Sequence, residues 1–186
     1  MTGYAFCGSF CTLSASLSAL RELTAYAGEI LPIVSNNVYE TDTRFFLASD
    51  FLRELESICK NPIIHTIVEA EPIGPSRILD ALVIAPCTGN TLSKIANGIT
   101  DTPVTMAAKA HLRADRPLLI ALASNDAMSA NLKNIAAMLQ RKNVYFVPMK
   151  QDDPQNKPHS LVCDFKKLLD SYINMKNGKQ SRPLFI

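Results

Sequence analysis

The feature that most constrains the fold is the alternation of short apolar runs with helical patterns along the whole chain. Six runs read as strands, namely "YAFC", "EILPIV", "IIHTIV", "DALVIA", "PLLIALA" and "VYFVP". Runs that are apolar on both faces and alternate with helices are typical of a parallel sheet covered on both sides. We therefore predict a single α/β domain over residues 1–186, with three layers and a mainly parallel sheet of about six strands.

Two amphipathic stretches predict helices that cover this sheet. The first carries an apolar stripe and ends at Gly28; its stripe consists of Leu13, Leu17, Leu20 and Leu23. The second has four apolar residues that can share one face, Phe45, Leu52, Leu55 and Ile58. A last helix is expected from about Ser160 to Asn177. The polar segment before it, "MKQDDPQNKPHS", is either a lid, a partner-facing segment or an ordinary surface connection.

Composition excludes several classes of function. The net charge of +2 and the lack of a long basic stretch argue against nucleic acid as a partner. No apolar run approaches the roughly 20 residues of a membrane helix, so we expect no membrane partner and a cytoplasmic protein. Five cysteines without a C-x-x-C pair predict reduced thiols and no metal site.

Four polar loops directly follow predicted strands: "CGSFCT", "SNNVYETDT", "PCTGNT" and "SNDAMS". In an open parallel sheet, ligands bind beyond the carboxyl ends of the strands. Gly8 and Ser9 stand in the first loop, where a helix begins and free N–H groups favour an anion such as a phosphate. The alternative for this loop is a simple helix cap formed by Ser9 or Thr12.

The loop "PCTGNT" has the same character after another strand. Gly89 allows close approach to the backbone, and the side chains of Thr88, Asn90 and Thr91 present hydroxyl and amide groups. The alternative is again an N-cap followed by a turn glycine. Two such loops at one edge of a sheet favour a small-molecule site.

The remaining polar side chains have simpler interpretations. His65 within "IIHTIV" is expected to be a half-buried strand histidine, and His111 and His159 are expected at the surface. Glu69 and Glu71 share a face if their segment is extended, so they form either an acid/base pair or part of a solvated loop. Three methionines are expected to fill the core, namely Met106, Met128 and Met138.

Several motifs together resemble a known family. "PCTGNTLSKIANGITD" resembles the Pro-Ala-Ser-Ala-Asn-Thr motif and its following segment in the flavoproteins that include the homo-oligomeric flavin-containing cysteine decarboxylases. "CGSFCT" is similar to the turn that holds the flavin phosphate in that family. "LPIVS", "TDTRF", "HTIVEAEPIGP", "APCTGN", "VTMAAKAHLRADRP" and "YFVPMKQDDPQNKPHS" extend the likeness to the B subunits of dipicolinate synthase from spore-forming bacteria, over nearly the whole chain.

The resemblance implies a Rossmann-like or flavodoxin-like domain that forms trimers or multiples of trimers, with FMN near the subunit interfaces. It implies three groups of cofactor-binding residues besides the loop residues Ser124 and Asn125. The phosphate would contact Gly8, Ser9 and Phe10. The flank of the flavin would contact Ser35, Thr43 and Phe45. The ring or the substrate would contact Thr88, Gly89, Asn90 and Thr91. Asn90 matches the substrate-facing asparagine of the family, and His65 falls near its catalytic histidine.

The implied reaction is dehydrogenation of a dihydrodipicolinate-type acid to dipicolinate, in the mother cell of a sporulating bacterium. NADP would be held on a separate A subunit, because this chain has no dinucleotide fingerprint. The small dicarboxylate substrate needs a cationic cradle, for which the candidates are Lys94, Lys109, Arg113 and Arg116. "ASNDAMS" stands where the decarboxylases have Pro-Ala-Met-Asn, which argues against cysteine decarboxylation. Two alternatives remain, a stand-alone FMN-dependent decarboxylase of the phosphopantothenoylcysteine type and a non-catalytic scaffold that activates its partner.

Overall fold

A computed structural model describes residues 1–186 of the chain as an α/β structure. Its seven strands are β1 (Thr2–Phe6), β2 (Ile30–Val34), β3 (Ala81–Cys87), β4 (Leu118–Ser124), β5 (Val144–Phe146), β6 (Met149–Lys150) and β7 (Leu161–Cys163). Its nine helices are α1 (Leu13–Ala27), α2 (Asn36–Glu40), α3 (Ala48–Cys59), α4 (Ile67–Ala70), α5 (Ile73–Ser76), α6 (Gly89–Ala96), α7 (Pro103–Arg113), α8 (Leu132–Leu139) and α9 (Leu168–Lys176).

The strands form one mixed sheet that is mainly parallel, in the order β2-β1-β3-β4-β7-β6. β1 pairs in parallel with both β2 and β3, and β3 pairs in parallel with β4. β5 pairs in parallel with the first half of β4, whereas β7 pairs antiparallel with its second half. The prediction of a mainly parallel α/β sheet is confirmed. The count is seven instead of six because the short strands β6 and β7 are added, whereas the predicted strand "IIHTIV" does not form.

Helices cover both faces of the sheet, as predicted. Side chains of β1 and of Cys7, which follows it, alternate between the faces. Tyr4 and Phe6 pack with α1, α3 and α9, whereas Ala5 and Cys7 pack with α4 to α8. All four side chains are at most 1% exposed. Parallel strands buried on both faces explain why the sequence shows continuous apolar runs there instead of alternation.

The predicted helical stripes are confirmed in α1 and only partly in α3. The four leucines of α1 are buried, and Gly28 ends the helix with a positive φ of 74°. In α3, Leu55 is fully buried and Leu52 and Ile58 pack against the same core. Phe45 lies before this helix and is 50% exposed, so placing it on the stripe was wrong. The loop after β2 also contains a short helix, α2, which the polar composition of "SNNVYE" concealed.

The segment "IIHTIV" is not a strand, contrary to the prediction. Ile64 makes one isolated parallel bridge with Ile33, and the chain then turns into α4. Thr66 caps that helix in a capping box with Glu69, and this local motif competes successfully with the β preference of the flanking residues. The N–H of His65 also donates to the Glu69 carboxylate and lowers its pKa. Glu71 follows in the helical region, so the two glutamates do not share an extended face.

The C-terminal helix begins later than predicted. Residues 161–163 form β7, which pairs with β4 and β6, and α9 starts only at Leu168. The tail returns to the sheet, where Phe185 bridges to Met149.

His111 is buried, contrary to the prediction of a surface residue. Its Nε2 lies 2.9 Å from the carbonyl oxygen of Pro117, and burial lowers its pKa. His159 is exposed, as expected. The core role of the methionines is confirmed: Met138 is buried, and Met106 and Met128 pack against the same core. None of the helices has the length and apolar character needed to cross a membrane.

Candidate functional site

The loops that follow β1, β3 and β4 open on one crevice of about 760 Å³. The order β2-β1-β3-β4 reverses the direction of chain progression between β1 and β3, and open α/β sheets bind ligands at such a switch point. The volume falls within the usual range of small-molecule sites. The crevice is lined by Gly8, Ser9, Phe10, Cys11, Thr12, Arg44, Phe45, Thr88, Gly89, Asn90, Ala123, Ser124, Asn125, Asp126, Asp152, Lys157 and Val162.

In the first loop, Ser9 begins a 3-10 turn over Phe10–Thr12 that leads directly into α1. The Thr12 hydroxyl donates to the carbonyl and the side-chain oxygen of Ser9, at 2.9 and 3.0 Å. Neither Ser9 nor Thr12 caps an N–H with its side chain, so the alternative interpretation of this loop as a simple side-chain cap does not hold. The N–H groups of Phe10 and Cys11 have no acceptor within the chain. They are therefore free to bind an anion at the start of the helix.

In the second loop, Thr88 is a true N-cap for α6. Its side-chain oxygen accepts from the N–H of Thr91 at 3.2 Å, and Thr91 turns inward and is only 8% exposed. Asn90 is exposed in the crevice, and the N–H groups of Gly89 and Asn90 have no acceptor within the chain. A second helix N-terminus thus faces the same crevice.

Gly89 is needed for close packing with the third loop. A β-carbon at this position would lie 2.3 Å from the Ser124 hydroxyl, 2.6 Å from the Asn131 amide nitrogen and 2.7 Å from the Asp126 carboxylate. The sequence interpretation, that the glycine admits a ligand, overlooked this protein contact.

In the third loop, the Asp126 carboxylate is the centre of a hydrogen-bonded cluster. It accepts from the Ser124 hydroxyl and, at 3.0 and 2.9 Å, from the amide of Asn131. These bonds, that from Ser124 first, lower the pKa of Asp126. Asn125 is exposed beside it.

The charged groups of the crevice differ from those that the sequence suggested. Arg44 lies with its guanidinium carbon 4.9 Å from the centre of the Phe45 ring and forms no ion pair. Lys157 lies 3.1 Å from Asp152. Sequence reasoning missed both cations. Arg44 and Lys157 lie in two separate loops, and no local motif identifies either of them as part of a site.

None of the four candidate cations for a substrate cradle lines the crevice, so their positions agree with ordinary surface charge. Lys94 pairs with Asp101 at 2.8 Å, and Arg116 pairs with Asp80 at 3.0 Å. Lys109 and Arg113 lie on α7, away from the carboxyl edge of the sheet.

Ser35 and Thr43 do not reach the crevice lining, in contrast to Phe45. The N–H of Ser35 donates to Phe6 at 2.9 Å, and its buried hydroxyl has no partner. The Thr43 hydroxyl accepts from the N–H of Phe45 at 3.2 Å. Thr43 therefore shapes the loop that carries Phe45, whereas Ser35 ties the end of β2 to the end of β1.

His65 also lies outside the crevice of its own chain. Its ring stacks on Tyr39 with centroids 4.0 Å apart, and its Nδ1 lies 3.3 Å from the Glu69 carboxylate. Tyr39 belongs to α2, which follows the edge strand β2. The histidine therefore lies at that edge of the sheet and not beside the N-termini of α1 and α6. Its catalytic role stays a prediction.

Thiol accessibility provides a direct check on this geometry. Cys11 is exposed in the crevice, whereas the other four cysteines are buried. Burial raises the pKa of Cys7 to about 11 and that of Cys59 to about 12, so these thiols are poor nucleophiles. We expect an aromatic disulfide reagent at pH 8 to titrate one thiol quickly in the native protein and five after unfolding. The fast phase should disappear in Cys11→Ser; a second fast thiol would contradict the described burial.

Comparison with known proteins gives consistent matches. The family model described as Flavoprotein matches residues 18–172. The chain is 39% identical over 184 residues to the dipicolinate synthase B subunit of Bacillus subtilis strain 168, covering 99% of this chain and 92% of the relative. The crystal structure of the dipicolinate synthase B subunit from Bacillus halodurans C superposes with a TM-score of 0.91 and 39% identity, covering 100% of this chain and 95% of the other.

More distant structures share the fold. A dodecameric FMN-dependent Ubix-like decarboxylase from Escherichia coli O157:H7 has a TM-score of 0.63 and 22% identity, with 80% of each chain covered. The two B subunits match this chain almost from end to end, so the chain resembles the B subunits of dipicolinate synthase over its whole length. Since the family model also spans most of the chain, this chain belongs to the Flavoprotein family.

Proposed function

We propose that this protein is the flavin-binding subunit of a two-protein dehydrogenase, which oxidises a dihydrodipicolinate-type acid to dipicolinate. The partner is an A subunit that binds NADP, and the process belongs to sporulation, by analogy with the B subunits that this chain resembles. One observation carries the flavin part of the proposal. The turns after β1 and β3 present unpaired N–H groups to the same crevice at the switch point of the sheet.

The residues of the crevice fit FMN. The N–H groups of Phe10 and Cys11 and the hydroxyl of Ser9, which donates no hydrogen bond within the chain, suit a phosphate. Arg44 adds an unpaired positive charge at the rim. The exposed Phe45 ring offers a flat apolar surface for the flank of a planar ring system.

The chemistry of the site divides between cofactor and protein. Bound FMN would supply an acceptor for the two electrons removed from the substrate, and NADP on the A subunit would be their final acceptor. The protein binds and orients the substrate: the side-chain amide of Asn90 can donate to a substrate carboxylate. Arg44 and Lys157 are the cations available to a second carboxylate.

In this proposal, His65 acts at a contact between subunits. Because it lies outside the crevice of its own chain, it would act at the crevice of a neighbouring copy or at the contact with the A subunit. A homo-oligomer, such as a trimer or a multiple of trimers, supplies that neighbour. The dodecameric decarboxylase with the same fold is consistent with such assembly.

Titration with FMN, followed by quenching of flavin fluorescence, tests the cofactor. We expect saturable binding and protection of the Cys11 thiol. Ser9→Ala should weaken FMN about tenfold, because one hydrogen bond to a charged group is lost, and should leave riboflavin unchanged. If wild-type protein binds no FMN, the flavin part of the proposal is wrong.

Reconstitution tests the reaction. The protein, its A subunit, NADP and the dihydro acid are mixed, and dipicolinate formation is followed with each component omitted in turn. Asn90→Ala should lower the rate; full activity of that variant would favour the activating scaffold instead. Release of carbon dioxide from pantothenoylcysteine by this protein alone would favour the decarboxylase alternative.

A further inference from the structure

A polar cluster extends from the wall of the crevice into the interior. It consists of Ser124, Asp126, Asn131 and Asn134, and we call it the Asp126 cluster. The Asp126 carboxylate accepts from Ser124 and Asn131, and Asn131 in turn accepts from the Asn134 amide at 2.8 Å. Asn131 and Asn134 are each 5% exposed. Buried polar networks that are fully satisfied in this way hold their members in one arrangement.

The cluster touches the backbone at the start of α6. The three atoms nearest to a β-carbon at Gly89, at 2.3 to 2.7 Å, all belong to its members. The cluster therefore forms the wall against which this backbone rests. Gly89 and Asn90 line the crevice, and their N–H groups have no acceptor within the chain.

The charge of Asp126 is an independent clue to its role. A carboxylate on the wall of a site that binds anions is electrostatically unfavourable for the ligand. It lies in the same lining as the charged groups Arg44, Asp152 and Lys157. A benefit to binding must then come from geometry, and the carboxylate has two oxygens that together accept three hydrogen bonds.

An asparagine does not reproduce the hydrogen bonds of this carboxylate. If its oxygen takes the place of Oδ1, it still accepts from Ser124 and Asn131. Its amide nitrogen then stands where Oδ2 accepts from Asn131, so that a donor faces a donor at 2.9 Å. The variant therefore loses one hydrogen bond and the negative charge that strengthens the other two, next to the buried pair Asn131 and Asn134.

We propose that Asp126 is a positioning residue, which holds the start of α6 so that the N–H groups of Gly89 and Asn90 meet the flavin ring. The inference rests on the proposed function, because it assigns these groups to the ring end of the site. Ser9 and its neighbours serve the phosphate end.

The test compares Asp126→Asn with Asp152→Asn in the full-length protein. Both variants remove one negative charge from the same crevice wall, but only Asp126 contacts the cluster. We expect Asp126→Asn to weaken FMN and riboflavin alike, each about tenfold, since a charge-assisted network is lost. Asp152→Asn should not weaken either ligand. A Ser9→Ala control, in contrast, should affect FMN alone.

The direction of the change in flavin affinity separates the outcomes. If Asp126 acted only through its charge, its removal would strengthen FMN binding; that result, or wild-type affinity, would overturn the inference. Ser124→Ala provides a second variant that keeps the charge and removes one donor, and it should weaken both flavins in the same direction even if Asp126→Asn does not fold. Absence of FMN binding by the wild-type protein would refute the proposed function first, whereas normal wild-type binding with an unaffected Asp126→Asn refutes only this inference.

Discussion

Gly89→Ala is expected to lower the free energy of unfolding by about 3 kcal/mol, at the upper end of the usual cost of overpacking. The added methyl group would lie 2.3 Å from Ser124 and 2.6 Å from Asn131, much closer than atoms can approach. These neighbours belong to a hydrogen-bonded network, so they cannot move aside without losing partners. Urea unfolding followed by circular dichroism measures the loss, and FMN titration should show weakened binding in the same variant.

Gly8→Ala is the matched control, because Gly8 stands in another loop of the same crevice. A β-carbon there would have its nearest contact at 3.4 Å, with the ring of Phe10, so the cost should stay below about 1 kcal/mol. Equal losses for the two variants would contradict the packing described for Gly89.

Phe6→Ala should cost still more, about 4 kcal/mol of unfolding free energy, as is usual for a large aromatic side chain lost from a core. Phe6 is fully buried at the end of β1 and meets the Phe51 ring edge to face, with centroids 5.3 Å apart. It also contacts the ring of Tyr4, at 4.9 Å. The cavity would thus open between the sheet and α3, directly below the first loop of the crevice.

Phe45→Ala removes the same side chain from an exposed position. Phe45 is 50% exposed, so the free energy of unfolding should change by no more than about 0.5 kcal/mol. Urea denaturation of both variants gives the comparison. The slope of the unfolding free energy against urea concentration should be equal in the two variants. A small loss for Phe6→Ala would mean that the described core is wrong.

Local sequence patterns predicted most of the elements. The leucine stripe of α1 follows from helical periodicity, and the helix ends at Gly28, which adopts positive φ. The buried strand β3 follows from a continuous apolar run. The pattern failed where a second local signal competed. At Thr66 a capping box starts α4 inside an apolar segment, so the strand that was expected there is reduced to one bridge at Ile64.

Sequence reasoning identified loops that line the crevice but not the isolated charges beside them. The loops at Gly8 and Gly89 were recognisable because each combines a strand end, a glycine and a helix start. Arg44 and Lys157 carry no such local mark, and the four cations that were chosen in their place lie elsewhere.

By itself, the sequence determined the α/β class, the positions of the main strands and helices, and the loops able to bind an anion, since these depend on neighbours a few residues apart. The tertiary structure alone decided which loops share the crevice, why Gly89 must be a glycine, and that His65 lies apart from it. The physical reason is that these distances depend on the order of strands in the sheet, which brings together residues that are up to about 150 positions apart in the chain.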